Sequence, residues 1–576
     1  MTRLRLLTAL VLAGLLVPPP LLAQEEAPIP KDPPADRVPQ AAPAEPEAPE
    51  AEEDAEEPAA EGADPEVPAA EPAEAEPADA EPVEAEPSEE PEAAAPAEEE
   101  PASEEPAGVD ALAPTSEPDG GEPAREAETA MVFDARVLAT GLQAPWEVVL
   151  GPDNFLWVTE RTGKRVTRID PATGAARVVL TVEDAFAGPQ HEGVLGLALD
   201  PRFGQGSDFV YLAYTYNAGD GSPAVENRRT RIVRYAWDGI GQFLGAPRTL
   251  ISEIPAGDDH NAGRLLFGPD GMLYFSNGEQ GANQFQNVCR PNEAQRLPTA
   301  EELEDENWAA YRGKVLRLTP EGGIPGDNPE LAGVRSHVFT YGHRNPQGLV
   351  FTPDGLLFSA EQGPSSDDEI NLLEAGGNYG WPHVAGFRDD QAYSYRNWSA
   401  AQDCTPETAG GATLLPGVTA EAETAWSDPA YKDPQKTLYT VPTGYPFADA
   451  ACGEAAYICN PTIAPASIDY YPRDGAVVAW RNSLLLPSLK NGALYRLGLT
   501  DDGRWVQGDV EKLFPSVNRY RDLALSPDGG TVFIATDSAG LVRDPAGGAT
   551  EALTLPGAIL AFTQKPLEPL PAPAAP

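Results

Sequence analysis

Pro269-Asp270-Gly271-Met272-Leu273-Tyr274-Phe275 reads as a tight turn running into a short strand. Proline presets the φ of a turn, glycine supplies the positive φ that closes it, and the apolar and aromatic residues that follow favour an extended chain. The outline recurs: Pro152-Asp153-Asn154 precedes Phe155 to Val158, Pro353-Asp354-Gly355 precedes Leu356 to Phe358, and Pro527-Asp528-Gly529 precedes Val532 to Ile534. A second recurring strand has a central arginine, as in Val166-Thr-Arg168-Ile, Ile232-Val-Arg234-Tyr, Val315-Leu-Arg317-Leu and Leu494-Tyr-Arg496-Leu. Helical periodicity is scarce in this region. Short antiparallel strands with a turn signal in each unit imply an all-β fold, a β-propeller rather than a sandwich, which shows no such repeat. Units of ~70 residues with their loops give about six blades. The expectation is a six-bladed β-propeller over 131–566.

The rest of the chain has a different composition. Of 576 residues, 91 are acidic and 39 basic, for a net charge of −52. Residues 24–130 hold 36 Asp and Glu against Lys31, Arg37 and Arg125, with 22 prolines and no aromatic side chain. A segment so charged, with nothing large to bury, does not offset the entropy of ordering and reads as a disordered acidic tether. Before it, Arg3 and Arg5, an apolar run from Leu6 to Val17 and small Ala23 have the layout of a signal peptide over 1–23. The chain is therefore expected to be exported, to the periplasm or the medium. Residues 567–576 read as a disordered Pro/Ala tail. A balance this acidic excludes a nucleic-acid binder, which needs a basic footprint.

Propeller chemistry lies in loops. Asp258-Asp259-His260-Asn261-Ala262-Gly263-Arg264 precedes a strand, and a histidine flanked by acids is a candidate general base. Tyr341-Gly342-His343-Arg344-Asn345-Pro346-Gln347-Gly348 concentrates donors suited to a carboxylate or quinone oxygen. Glu361-Gln362-Gly363-Pro364-Ser365-Ser366-Asp367-Asp368-Glu369 offers the hard oxygen ligands that Ca²⁺ prefers. Lys490, Arg519 and Arg521 are cations in an acidic chain; the two arginines share strand spacing and point the same way. Four cysteines in an exported chain imply disulfides. Cys452 and Cys459 enclose a short Gly-containing loop and are the best pair, with Cys289 and Cys404 remaining.

Taken in order, these loops, with Gly376-Gly-Asn-Tyr-Gly-Trp-Pro382, closely resemble the soluble PQQ-dependent glucose dehydrogenases from about Val137 to Lys565. The resemblance implies a propeller with PQQ and Ca²⁺ at the channel mouth, oxidising the anomeric hydroxyl of aldoses to lactones and passing electrons to a dye or protein acceptor. By the matching motifs, His260 is the base, with Asp259 orienting that site and the sugar. Arg344 stabilises charge on the quinone oxygen, and Asn345 supports the cofactor. Lys490, Arg519 and Arg521 hold the PQQ carboxylates, and Gln284, Tyr457 and Thr462 line the pocket. The Gly363 and Pro364 carbonyls are ligands of the active-site Ca²⁺. Further structural Ca²⁺ is expected near Glu369, Tyr379, Ala385, Phe387, Asp389 and Glu423, with Asp368 close by. A homodimer is expected in the same region.

Two positions depart from the family pattern. The sugar-contacting Gln falls on His191, with Gln190 and Glu192 adjacent, so either Gln190 reaches the sugar or a second histidine lines its site, and the bulky Trp after Cys459 is Asn460. Both changes lie on the sugar side, so the expectation widens from glucose to other or larger aldoses. A Ca²⁺-dependent hydrolytic propeller resembling a lactonase and a non-catalytic sugar-binding propeller are the alternatives. The cations Lys490, Arg519 and Arg521 count against the first.

Overall fold

The turn at 269–271 joins Leu265–Phe267 to Leu273–Asn277, which pair antiparallel with Leu265 opposite Phe275. Lys314–Leu318 and Val338–Tyr341 complete a four-stranded sheet. The structure, a computed structural model, describes residues 132–219, 224–411, 413–447 and 452–565; the signal peptide, tether and C-terminal tail expected from sequence lie outside them. Among the described residues six such four-stranded sheets occur. Their inner strands are Pro145–Leu150, Val194–Leu199, Leu265–Phe267, Pro346–Phe351, Asp469–Tyr471 and Tyr520–Leu525, and each packs beside the next with the last returning to the first. This is a closed six-bladed propeller, as the turn repeat implies.

Closure mixes the two ends of the propeller. Phe133–Ala139 is the outer strand of the sixth blade, pairing with Ile559–Gln564, which pairs in turn with Thr531–Thr536. Blades pack through apolar faces, as where Leu156, Val158 and Ile169 of the first meet Phe533, Ala535 and Ile559 of the sixth. Among the described residues no helix is long and apolar enough to cross a membrane.

The two recurring sequence signals are one interaction. Arg168, in the third strand of the first blade, reaches Asp153 in the turn between the first and second strands at 2.6 Å, and Arg317 reaches Asp270 in the third blade at 3.0 Å. Arg168 also lies over Phe155, 3.9 Å from its ring centroid, so its stem is covered while its charge is paired. These turns mark one mouth of the propeller. Antiparallel order puts the starts of the first strands, and the turns between second and third strands, at the other mouth.

His337 gives the fold a pH dependence. It is buried, with Nδ1 2.9 Å from the Tyr311 hydroxyl and Nε2 3.2 Å from the Gly322 carbonyl. Burial pushes its pKa down from 6.5 to about 4, the Gly322 carbonyl opposing. As pH falls through this window the unfolded chain takes up a proton that the folded chain refuses, so stability is lost from pH 6.5 down to 4. The expected loss from this group is about 3 kcal/mol. Urea unfolding at pH 7 and pH 4 should show a difference smaller by that amount in His337→Gln; an unchanged difference would refute the assignment.

Candidate active site

The residues singled out in sequence collect at the mouth opposite the Pro-Asp turns. His260 lies between the second and third blades, Arg344 and Asn345 immediately before the fourth blade's inner strand, and Arg519 and Arg521 at the start of the sixth's. Gln284, Gly363 and Lys490 lie between second and third strands of blades three, four and five. Residues scattered over some 260 positions, from His260 to Arg521, thus share one rim because each blade delivers the same two connections to it.

His260 is held tightly. It adopts a left-handed φ of +40°, and Gly278 passes so close that a Cβ there would lie 1.9 Å from the His260 carbonyl oxygen. Asn261 closes the loop by bonding both the amide and carbonyl of Gly257 at 2.9 and 2.8 Å. The His260 Nδ1 lies 2.6 Å from Glu279 Oε1, and the other Glu279 oxygen accepts the Ala282 amide at 2.6 Å. A carboxylate at Nδ1 fixes the tautomer with the proton there and leaves the Nε2 lone pair outward. Gln284 Nε2 caps that nitrogen at 3.2 Å and also donates to Asp259 Oδ2. Burial alone would raise Asp259, but at the low pH where it titrates the His260 and His191 imidazoles are protonated, and with the His260 amide and Arg344 they hold it well below the usual carboxylate range.

The structure places His191 beside Asp259 and His260: its Nδ1 is 3.1 Å from Asp259 Oδ1 and 3.0 Å from the His260 amide. Burial pushes its pKa down to about 4, with Asp259 opposing, so this imidazole is neutral at working pH. Gln190, next to it, is exposed. Asn460 is buried, and its Oδ1 has no hydrogen-bond partner among the described residues.

A chain of contacts links His260 to the cations. Arg344 donates to Gln284 Oε1 at 2.7 Å and to the Gln362 carbonyl at 2.9 Å, and its guanidinium lies 5.4 Å from the Trp381 ring centroid. Its buried Nε has no partner among the described residues. Glu361 fixes this segment by accepting from the Arg344 amide, from the Asn345 amide at 3.2 Å and from His343 Nδ1 at 2.9 Å. Beyond Gln362, the Gly363 amide donates to Asp368, which also accepts the Ile463 and Ala464 amides at 2.6 and 2.8 Å. Lys490 donates to the Asn460 carbonyl at 2.7 Å and to the Thr462 hydroxyl; burial pushes its pKa down to about 7 despite Asp368 nearby. Arg519 and Arg521 converge, both bonding Asp537 at 3.2 and 2.7 Å, and Arg521 also donates to Gln347 Oε1. Tyr457 is half exposed and lies within electrostatic reach of Arg519.

The residues assigned to metal divide into two groups. Successive strand residues point to opposite faces, and Asp368, grouped with Glu369 in the sequence reading, turns instead toward Lys490. Glu369 accepts the Gly386 amide at 2.6 Å, and Glu423 accepts the amides of Ala385 and Asp390 at 2.9 Å. Burial, with Glu361 next to it, raises Glu369 strongly, and burial pushes Glu423 up to about 7. The Tyr379 hydroxyl donates to the Leu372 carbonyl at 2.7 Å. Phe387 is exposed, and Asp389 bonds the Gln391 amide at 2.9 Å. Among the described residues no group of three or more His, Cys, Asp or Glu side chains is arranged to hold a metal. An ion at this rim would need backbone carbonyls among its donors, and those of Gly363 and Pro364 are the candidates. A Cβ on Gly363 would lie 2.0 Å from the Ser366 carbonyl oxygen, so the loop requires glycine there.

A cavity of about 820 Å³ opens beside Gln284 and Pro364, walled by Phe285, Trp381, Tyr393 and Trp398. Cys289 and Cys404 are bonded behind this wall, packed with Val288, Trp398 and Val418, and Cys452 is bonded to Cys459. Two acids that organise the site, Glu279 and Asp537, lie outside every motif the sequence offers, and Glu361, quoted there among oxygen ligands for Ca²⁺, instead fixes the Arg344 segment. Each lies at or just beyond the end of its blade's second strand, the one signal that would have marked them.

Comparison with known proteins agrees with this geometry. The chain is 41% identical over 437 residues to quinoprotein glucose dehydrogenase B of Acinetobacter calcoaceticus, covering 75% of this chain and 91% of that protein. The PQQ-bound aldose sugar dehydrogenase of Streptomyces coelicolor superposes with a TM-score of 0.50 at 26% identity, covering 76% of this chain and 99% of that one. A glucose dehydrogenase-like oxidoreductase of Thermus thermophilus superposes with a TM-score of 0.51 at 29% identity, covering 75% and 100%. The family model for glucose/sorbosone dehydrogenases matches residues 142–409 and 439–543, the segments that build the rim just described, and the chain belongs to that family.

Proposed function

We propose that this chain is a PQQ-dependent aldose dehydrogenase that oxidises the anomeric hydroxyl of a sugar to a lactone. The observation that carries the reading is a base, His260, oriented by a buried carboxylate and facing a set of buried cations that the protein leaves under-neutralised. Arg344 Nε without a partner, and Arg519 and Arg521 sharing one acid, fit a multiply anionic quinone. The names of the relatives, a quinoprotein and a PQQ-bound aldose dehydrogenase, support the same group.

When bound, PQQ supplies the two-electron acceptor that takes the hydride from the anomeric carbon. The protein's own part is proton transfer and placement. His260 Nε2 removes the anomeric hydroxyl proton once the sugar displaces the Gln284 amide. Asp259 stays ionised beside it and accepts a second sugar hydroxyl. Arg344 would hold the quinone oxygen, Asn345 and Thr462 would support the cofactor edge, and Lys490, Arg519 and Arg521 would hold its carboxylates. Ca²⁺ would sit on the Gly363 and Pro364 carbonyls, with structural ions in the Glu369/Glu423 group. His191 and the unpartnered Asn460 Oδ1 add polar contacts to the sugar, which favours aldoses with hydroxyls or a second ring beyond the anomeric end. Export behind the signal peptide, on the acidic tether, to a dye, quinone or cytochrome acceptor, and homodimerisation belong to the same reading.

Titrating metal-stripped protein with PQQ and Ca²⁺ and then offering a panel of aldoses tests this. The expected result is stoichiometric uptake followed by dye reduction with several sugars. A fully loaded protein inert on every aldose would overturn the catalytic reading; a protein that takes up no PQQ would overturn the cofactor.

A further inference from the structure

Arg161 follows Glu160 at the end of the first blade's second strand, at the same rim. Its amide donates to the Ala144 carbonyl at 2.9 Å, Ala144's amide donates to Ser538 Oγ at 2.7 Å, and its carbonyl accepts the Val194 amide at 3.2 Å. The residue is thus pinned where the first, second and sixth blades meet. Its side chain reaches toward the sugar side: Nη1 donates to the carbonyls of Gly188 at 3.3 Å and Glu192 at 3.0 Å, the two ends of the segment carrying Gln190 and His191.

The charge of Arg161 belongs to the cofactor side. Ala144, which accepts the Arg161 amide, is bound in turn by Ser538, the residue after Asp537, so Arg161 stands beside the acid shared by Arg519 and Arg521. Burial draws its pKa down to about 10, with Asp537, Arg521, Glu192 and Arg519 the charges acting on it. Glu192 is already engaged by Arg228 at 3.2 Å. Three largely buried guanidiniums, Arg161, Arg519 and Arg521, therefore depend chiefly on one carboxylate, and their repulsion works against the grip of Arg161 on the 188–192 segment. An anion placed on Arg519 and Arg521 relieves that repulsion.

We propose that Arg161 is a positioning residue that couples the cofactor cradle to the sugar-side segment: an anionic cofactor on Arg519 and Arg521 steadies the Arg161 clamp on the Gly188 and Glu192 carbonyls and so sets His191 beside Asp259. The inference rests on the PQQ reading above. By linkage the coupling is reciprocal, so weakening the clamp also weakens PQQ binding.

The test uses the full chain as wild type, Arg161→Lys and Arg161→Gln, with PQQ as the probe. In wild type, PQQ should slow amide hydrogen exchange over 188–192 by about tenfold, a typical size for coupling between two sites. In Arg161→Gln that slowing should vanish, PQQ should bind about tenfold more weakly, and the sugar KM should rise about tenfold while kcat changes little. Arg161→Lys keeps the charge, but its side chain is shorter and lacks the outer Nη1 that reaches both carbonyls. It should restore PQQ affinity and leave KM high. The proposal is overturned if Arg161→Gln keeps the exchange response of wild type, or if both variants lose kcat and KM together with a lowered melting temperature. Absence of PQQ uptake by wild type would instead defeat the cofactor assignment, so the two failures are told apart.

Discussion

PQQ-loaded protein carrying His260→Ala should oxidise aldoses about 10²–10⁴-fold more slowly than wild type while still taking up the cofactor. The size follows from what is lost. His260 presents its Nε2 lone pair because Glu279 holds Nδ1 at 2.6 Å, and Glu279 is itself fixed by the Ala282 amide and buried away from water. Alanine removes the base and leaves the Glu279 carboxylate without its imidazole. Glu279→Gln should lose less, about 10–100-fold by the measure of partners that orient a working imidazole, because the base survives and only its orientation weakens. The cations that hold PQQ do not touch either side chain, so the titration midpoint should stay within threefold. Stopped-flow measurement of cofactor reduction by sugar separates the two steps. A His260→Ala enzyme within tenfold of wild type would mean that the proton leaves by another group, and His191, 3.1 Å from Asp259, would be the one to examine.

The fold was legible where the turn and strand signals coincide. The first and third blades show both, since Asp153 and Asp270 pair with Arg168 and Arg317. In the fifth blade Arg496 pairs with Glu511 on the neighbouring strand at 2.9 Å, and the turn before the second strand is the longer stretch from Pro472 to Asn482, so only the arginine marks it. The second blade's Arg234 has Glu321, in the loop after the third blade's third strand, at 3.9 Å, again a partner from outside the blade. For the site, cations were easy to find because they are exceptions in a chain of net charge −52. The acids that aim them were not, because Glu279 and Asp537 are two among 91 and no local pattern tells which acids the fold buries at this rim. The direction in which Asp368 turns was likewise hidden, since register within the fourth blade decides it.

Substitution of Arg521 by Gln should weaken PQQ binding by about 10²–10³-fold, and Asp537→Asn should strengthen it. Removing one partner of a buried charge pair costs about 2–5 kcal/mol, with each 1.4 kcal/mol worth a factor of ten. Arg519 remains to neutralise Asp537 in the first variant, so the fold should survive. The second variant works in the opposite sense. Asp537 lies below the usual carboxylate range, at about 2, because burial, which would raise it, is outweighed by Arg521 and Arg519. It therefore stays ionised and competes with the cofactor for both guanidiniums. Asparagine ends that competition but leaves two buried cations unpaired, which lowers the stability of the cofactor-free protein. Loading should then raise the melting temperature of Asp537→Asn more than that of wild type, because a ligand stabilises in proportion to its affinity for the folded chain. The two variants thus move PQQ affinity in opposite directions while both disturb the same ion pairs. If both weaken it, Asp537 orients the arginines toward the cofactor rather than competing for them, and the surplus charge at this rim is not what holds the anion.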